Sequence, residues 1–207
     1  MRAILKLSSA ILAIALFLCP FSASFAGDEP FANDKSLFGR KEVVHQGTAA
    51  FTKWSSAISA QSRAATTDKV SEWKSFLSTL RGADPTAQIE AVNQYMNEVA
   101  YLSDKKNYGR DDYWATVAQF FERGGDCEDY ALAKYHSLIQ LGFKPTQLRL
   151  VILYDENKRI NHAVLAVAHE GSWKILDNQS QSVRNDGEIS NYKPIYAISR
   201  NNWWRFI

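Results

Sequence analysis

Apolar side chains along this chain change period near residue 147. Upstream they recur at three- and four-residue intervals, the spacing of one helix face. Phe51, Trp54 and Ile58 predict a helix over 48–63, and Val70, Trp73, Phe76, Leu77 and Leu80 predict another over 67–80 ending at Gly82. These two read as separate helices or as one continuous helix. Asp84-Pro85 is a helix start, an N-cap followed by proline at the first helical position, and Ile89, Val92, Met96, Val99 and Ala100 line the face that follows. A polar loop is expected over 103–112 and a short helix over 113–121 carrying Trp114, Val117, Phe120 and Phe121. From Asp126 onward Leu132, Tyr135 and Ile139 share a face until Gly142 and Pro145 stop the helix.

Downstream the period is two. Residues 148–154 form an apolar run suited to a buried strand, 155–159 a turn, and 160–169 a second strand. Glu170-Gly171 makes a tight turn into a strand over 172–177, a polar connection fills 178–191, and 194–200 offers a last strand before the aromatic tail Trp203-Trp204-Arg205-Phe206. Residues 28–46, polar with scattered Phe31, Leu37 and Phe38, are expected as an irregular arm on the surface. Helices first and strands second predict an α+β fold, with N-terminal helices packed on an antiparallel sheet.

The first 26 residues belong to a different pattern. Arg2 and Lys6 precede the apolar run Ile11–Leu18, and Ser24-Phe25-Ala26 is a small-x-small site before Gly27, the three parts of a cleaved secretory signal peptide. The run ends at Pro20, short of the roughly 20 residues that span a bilayer, so the mature chain is expected to be exported and not membrane-embedded. The expected organisation is a leader over 1–26, an arm over 27–47 and one domain over 48–207. A hydrophobic content of 46% with 13% aromatics excludes a disordered or fibrous chain. Loss of Arg2 and Lys6 lowers Lys+Arg from 24 to 22, matching 22 Asp+Glu, so no general basic footprint for nucleic acid remains. Cys19 leaves as well, and Cys127 stays as an unpaired thiol in an oxidising compartment.

Cys127 opens a predicted helix, where free N–H groups and the helix dipole favour a thiolate by about 0.3–1 kcal/mol. Asp126, Glu128 and Asp129 oppose this, since three adjacent negative charges raise a thiol pKa. An imidazolium or a bound cation would offset them, and clustered carboxylates are hard oxygen ligands suited to Ca²⁺. Acidic residues in a first helical turn also complement the dipole without any metal, and a buried Cys is commonly a small core residue. A partner base therefore decides the reading. If Glu170-Gly171 is a two-residue turn, Asp177 falls opposite Val164, with His162 on the same face and diagonal to Asp177, within reach of a His–Asp hydrogen bond. His169 lies on the other strand face, His45 in the arm, and His136 on a helix exterior exposed to solvent. Cys127, His162 and Asp177 thus meet the requirement for nucleophile, base and orienting carboxylate.

Gly-Gly-Asp-Cys-Glu-Asp-Tyr-Ala at 124–131, Asn161-His162-Ala163 and Leu176-Asp177-Asn178 resemble the bacterial transglutaminase-like cysteine proteinases. The resemblance implies a papain-like or transglutaminase-like core with Cys127 as nucleophile, His162 as base and Asp177 orienting it. It implies Ca²⁺ dependence carried by Asp126 and Glu128, with Asp129 beside them. It further implies a periplasmic protease that trims the N-terminal region of a large surface adhesin, releasing it and controlling biofilm attachment. The implied regulator is the periplasmic domain of an inner-membrane cyclic di-GMP receptor, acting as inhibitor. Trp114, in Asp111-Asp112-Tyr113-Trp114-Ala115-Thr116, matches another block of the family; it is an oxyanion-hole candidate or a packing residue, backbone N–H groups being the commoner donors. A transglutaminase or amidase using the same three residues, and a non-catalytic Ca²⁺-binding docking module, are the rival readings.

Overall fold

The structure is a computed structural model and describes residues 36–207. The leader expected over 1–26 and the first part of the arm lie outside the described residues. The helices are α1 (Thr52–Gln61), α2 (Asp68–Thr79), α3 (Pro85–Asn97), α4 (Asp104–Tyr108), α5 (Val117–Arg123) and α6 (Cys127–Gln140). The strands are β1 (Glu42–Gln46), β2 (Leu148–Asp155), β3 (Ile160–His169), β4 (Ser172–Leu176), β5 (Arg184–Asn185), β6 (Tyr192–Ile198) and β7 (Asn202–Phe206). Together they form an antiparallel sheet in the order β1-β7-β6-β2-β3-β4-β5. No helix among the described residues is long and apolar enough to cross a membrane.

Alternation along the central strands sorts side chains to two buried faces, because successive residues of a strand point to opposite sides. Leu148, Leu150, Leu165, Val167 and Leu176 join the helical core, packing with Trp54, Trp73, Met96, Phe120 and Leu132. Val151, Leu153, Val164, Ala166, Trp173 and Ile175 turn the other way, to a second core closed by Leu37, Ile189 and Tyr192. Helix α6 lies at the centre of the first core and is buried nearly all round, from Asp129 to Leu138 apart from His136. A helix in that position has no solvated face to spare for polar residues. Trp73 of α2 donates its indole N–H to Ser137 Oγ at 3.0 Å, tying the helical layer to it.

The β3–β4 hairpin has the register of a two-residue turn, with Leu165 opposite Leu176 and Ala166 opposite Ile175. Glu170 and Gly171 both have positive φ, +50° and +69°, as the turn types that match strand twist require.

Other boundaries differ from the sequence pattern for local reasons. The segment expected as an irregular arm contains β1, which pairs with β7, and β7 is formed by the residues read as a tail. Glu42 is held by Arg149 at 2.6 Å, and the Arg149 guanidinium stacks between Trp173 and Trp204, 4.4 and 3.8 Å from their ring centres. The helix expected over 113–121 starts only at Val117, because Thr116 and Gln119 form a capping box that fixes the start there. The polar loop contains α4, bracketed by Ser103 and by Gly109 at φ +66°. Helices α1 and α2 are separate.

Candidate active site and metal centre

The glycine pair ahead of α6 sets the geometry. Gly124 ends α5 at φ +77°, and a Cβ there would strike the Ala100 carbonyl; at Gly125 a Cβ would overlap the Asp129 carboxylate. Close passage of backbone lets Tyr101 bridge to Gly125 and Leu102 N–H donate to Gly125 O at 2.9 Å. Segment 100–104 is thereby laid against the start of α6, and Asp104 N–H reaches Asp126 Oδ2 at 3.2 Å. Gly125→Ala is therefore expected to destabilise the fold by about 1–3 kcal/mol through overpacking. A thermal melt with unchanged Tm would contradict this.

Asp126 is the N-cap of α6 and Cys127 its first residue. The Asp126 N–H donates to Asp129 Oδ2 at 3.2 Å, and Ala115 N–H donates to Asp129 Oδ1 at 2.7 Å, so both oxygens of the buried Asp129 carboxyl brace the loop. Cys127 is half-buried and its thiol donates to Glu128 Oε2 at 3.3 Å. β4 pairs with β3 only from Leu165 onward, leaving Ala163 without a partner on that side, and the Ala163 N–H comes near enough to the Cys127 sulfur to favour its thiolate. That contact puts the nucleophile candidate against the residue next to His162. Burial pushes the thiol pKa up, and the charges of Glu128 and Asp126 push it further; only the Ala163 N–H pulls it down.

His162 Nε2 and Asp177 Oδ1 lie 2.9 Å apart, with side chains 1% and 2% exposed. The pair predicted from the turn register is present. Asp177 Oδ2 accepts from Tyr192 OH at 2.6 Å, and Oδ1 also accepts from Gln179 N–H at 2.9 Å. Burial alone would raise Asp177, but the hydrogen bond and charge of His162, helped by Tyr192 and Gln179, hold its carboxyl below the usual range. With the Nε2 proton donated to this carboxylate, Nδ1 is the basic nitrogen, and Gln179 Nε2 lies 3.3 Å from it. The Cys127 thiol is bonded to Glu128 and His162 Nδ1 to Gln179, so the candidate nucleophile and the candidate base each hold a different partner in this conformation.

Carboxylate oxygens of Asp104, Asp126 and Asp129, and of Asp104, Asp112 and Glu128, fall in groups within 4.8 Å, as do ligand atoms of Asp126, Cys127 and Glu128. Asp104 Oδ1 and Asp126 Oδ1 are buried with no hydrogen-bond partner. Glu128 is pushed up to about 9 by burial, by its hydrogen bond with Asp126 and by the Asp126 charge. Asp129 is pushed up to about 8 by burial, against the Ala115 N–H and reinforced by the Asp126 and Asp104 charges. Converging hard oxygens, two of them orphaned, form a donor set that fits Ca²⁺.

Asp104 is the residue that pattern reading passed over. It sits 22 residues before Asp126 in what reads as a polar loop, and only the Gly124-Gly125 approach brings it in. Gln179, in the expected connection, and Tyr192, between that connection and the expected last strand, were equally invisible. Trp114 is half-buried against the helical core and lines a cleft of about 290 Å³ with Thr52, Lys53, Tyr113 and others; Cys127, His162 and Asp177 do not line it. The remaining histidines are placed away from this chemistry. His45 stacks on Trp203 at 4.1 Å, and His169 Nε2 lies 3.0 Å from Thr86 Oγ1. His136, expected in solvent, is half-buried instead, and desolvation lowers its pKa to about 4.

A comparison with curated proteins gives no match. Among solved structures, Legionella pneumophila LapG is similar at 25% identity and TM-score 0.61, with 78% of this chain and 90% of that chain covered. Its EGTA-treated form has the same identity and TM-score, covering 78% and 87%. The calcium-bound form of LapG is similar at 26% identity and TM-score 0.58, covering 73% and 84%. The family model of the bacterial transglutaminase-like cysteine proteinases matches residues 44–206. By that match and the papain-like helix-and-sheet core beneath it, the chain belongs to the bacterial transglutaminase-like cysteine proteinase family.

Proposed function

We propose that the mature chain is a periplasmic, Ca²⁺-dependent cysteine endopeptidase that cleaves the N-terminal region of a large surface adhesin and so controls biofilm attachment. The observation that carries the reading is the buried His162–Asp177 pair, 2.9 Å apart, on the strand whose next residue, Ala163, lies by the Cys127 thiol. His162 Nδ1 takes the thiol proton, and the Cys127 thiolate attacks the peptide carbonyl, forming a thioester as the C–N bond breaks. His162 then gives the proton to the leaving amine, and water resolves the acyl-enzyme. Asp177 keeps the imidazole in the tautomer with Nδ1 free and stabilises the imidazolium. The Cys127 N–H, in the first turn of α6 where helical donors lack intrahelical acceptors, is suited to the developing oxyanion. Trp114 is left a packing or cleft-wall role.

Asp104, Asp126 and Glu128, braced by Asp129, would hold Ca²⁺. Bound there, the ion supplies positive charge beside a thiol that otherwise faces carboxylates. Glu128 Oε2 accepts the thiol hydrogen bond, so a Glu128 engaged as a ligand would release the thiol. The calcium-bound form of LapG supports this reading. The partner proposed as inhibitor is the periplasmic domain of an inner-membrane cyclic di-GMP receptor.

The test is incubation of mature protein with N-terminal fragments of large secreted adhesins from the same organism, in Ca²⁺ and in EGTA. One discrete cut in Ca²⁺, absent in EGTA and suppressed by the receptor domain, is the expected result. Incorporation of an added amine without a cut would overturn the endopeptidase reading in favour of a transferase.

A further inference from the structure

Lys134 is a cationic side chain that the catalytic reading does not use. It lies on α6 two turns beyond Cys127 and is 0% exposed, as is Asn93 of α3. A lysine is almost never fully buried unless paired, because desolvating an ammonium costs several kcal/mol. Its Nζ donates to Asn93 Oδ1 at 2.8 Å and lies 5.9 Å from the centre of the Tyr130 ring. A neutral amide is a weak counterpart for a buried charge. The nearby negative group is Asp177, whose charge raises the Lys134 pKa against the burial that lowers it to about 7.

Asn93 carries the contact onward. With Oδ1 accepting from Lys134, its Nδ2 donates to the carbonyls of Ser180 and Gln181, both at 3.0 Å. One helical turn later, Asn97 Nδ2 donates to the carbonyls of Asp177 and Ser180, both at 2.9 Å. Four hydrogen bonds from α3 therefore converge on carbonyls of the turn over 177–181. Within that turn Gln179 N–H reaches Asp177 Oδ1, and Ser180 N–H reaches Asp177 O at 3.3 Å. The Nζ bond orients the Asn93 amide: with Oδ1 accepting from Lys134, both Nδ2 hydrogens face the turn.

We propose that Lys134 is a positioning residue which, through Asn93 and alongside Asn97, locks the turn over 177–181 so that Asp177 is held on His162. This rests on the reading of Asp177 as the orienting carboxylate. The lock acts from the helix that carries Cys127, so nucleophile and orienting group are referenced to one element. Loss of the lock misplaces Asp177 without touching substrate, and a misplacement of about 1 Å can cost roughly 10²-fold in rate.

The test uses Lys134→Met, whose apolar side chain of similar length suits a buried site, and Asn97→Ala at a half-buried position as a second variant should the first not fold. Both are expected to lower kcat about 10–100-fold with KM within about twofold. Amide hydrogen exchange at Gln179 and Ser180 is expected to rise about tenfold or more while β3 and the middle of α6 keep their protection. A merely structural role would lower Tm but leave kcat of the folded protein and exchange at 179–180 at wild-type values, and that result would overturn the proposal. Exchange is read without substrate, so a wild-type protein inert toward peptides would sink the peptidase reading alone.

Discussion

Cys127→Ser is expected to lower peptide hydrolysis by about 10³-fold or more, and His162→Ala by about 10²–10⁴-fold, with circular dichroism unchanged. The serine variant keeps the size and the hydrogen-bonding capacity of residue 127 but places a hydroxyl of much higher pKa where the thiol stood, beside Glu128 and Asp126. A weak acid in acidic company has no route to its anion. The alanine variant removes the proton acceptor while leaving Asp177 buried, still accepting from Tyr192 and Gln179. Asp177→Asn should cost less than His162→Ala, because its Oδ1 can still accept from Nε2 and from the Gln179 N–H while its NH₂ donates to the Tyr192 hydroxyl, so the tautomer is kept and only the stabilising negative charge is lost. The three losses should not add, since the residues act as one unit. A His162→Ala enzyme that retains kcat would contradict this arrangement.

The other large effect concerns calcium and pH. Glu128 and Asp129 titrate near 9 and 8 in the fold, against about 4 in an unfolded chain. Between about pH 4 and 8, the metal-free folded state binds more protons than the unfolded state, so its stability falls as pH rises. Each such carboxyl contributes a slope of up to about 1.4 kcal/mol per pH unit. Ca²⁺ competes with those protons, and its stabilisation should therefore grow toward pH 8. Saturation at about 100 times Kd adds about 2.7 kcal/mol, or roughly 5–10 °C in Tm for a chain of this size. EGTA should abolish cleavage, and Asp104→Ala should match Asp126→Ala in losing both the Ca²⁺-dependent Tm shift and activity. Full activity after rigorous chelation, with a Tm indifferent to Ca²⁺, would remove the ion from the mechanism.

The parts of the site that could be read beforehand are those written in local patterns. Glu170-Gly171 set the hairpin register, and the register set His162 against Asp177. Asp84-Pro85 marked the start of α3, and the Gly-Gly pair with the apolar pattern after Asp126 marked α6. What could not be read depends on contacts between distant segments. Asp104 joins the carboxylates only because two glycines allow the backbone at 100–102 to pass close by. β1 and β7 are short strands at and beside a sheet edge whose Val43 and Val44 are exposed, so neither carries a clean alternation. His136 on α6 reads as solvent-facing and Lys134 carries a charge, but α3, α5 and the sheet enclose that helix, and burial overrides the local pattern.

The most direct measurement is the rate of iodoacetamide labelling of Cys127 against pH, in Ca²⁺, for the wild-type protein and for His162→Ala. Rapid labelling at neutral pH, with a midpoint below the ordinary thiol value of about 8.5 and a loss of about tenfold or more in His162→Ala, is the expected result. Slow labelling that His162→Ala leaves unchanged would mean that Cys127 is an inert thiol among carboxylates and that His162 is not its base.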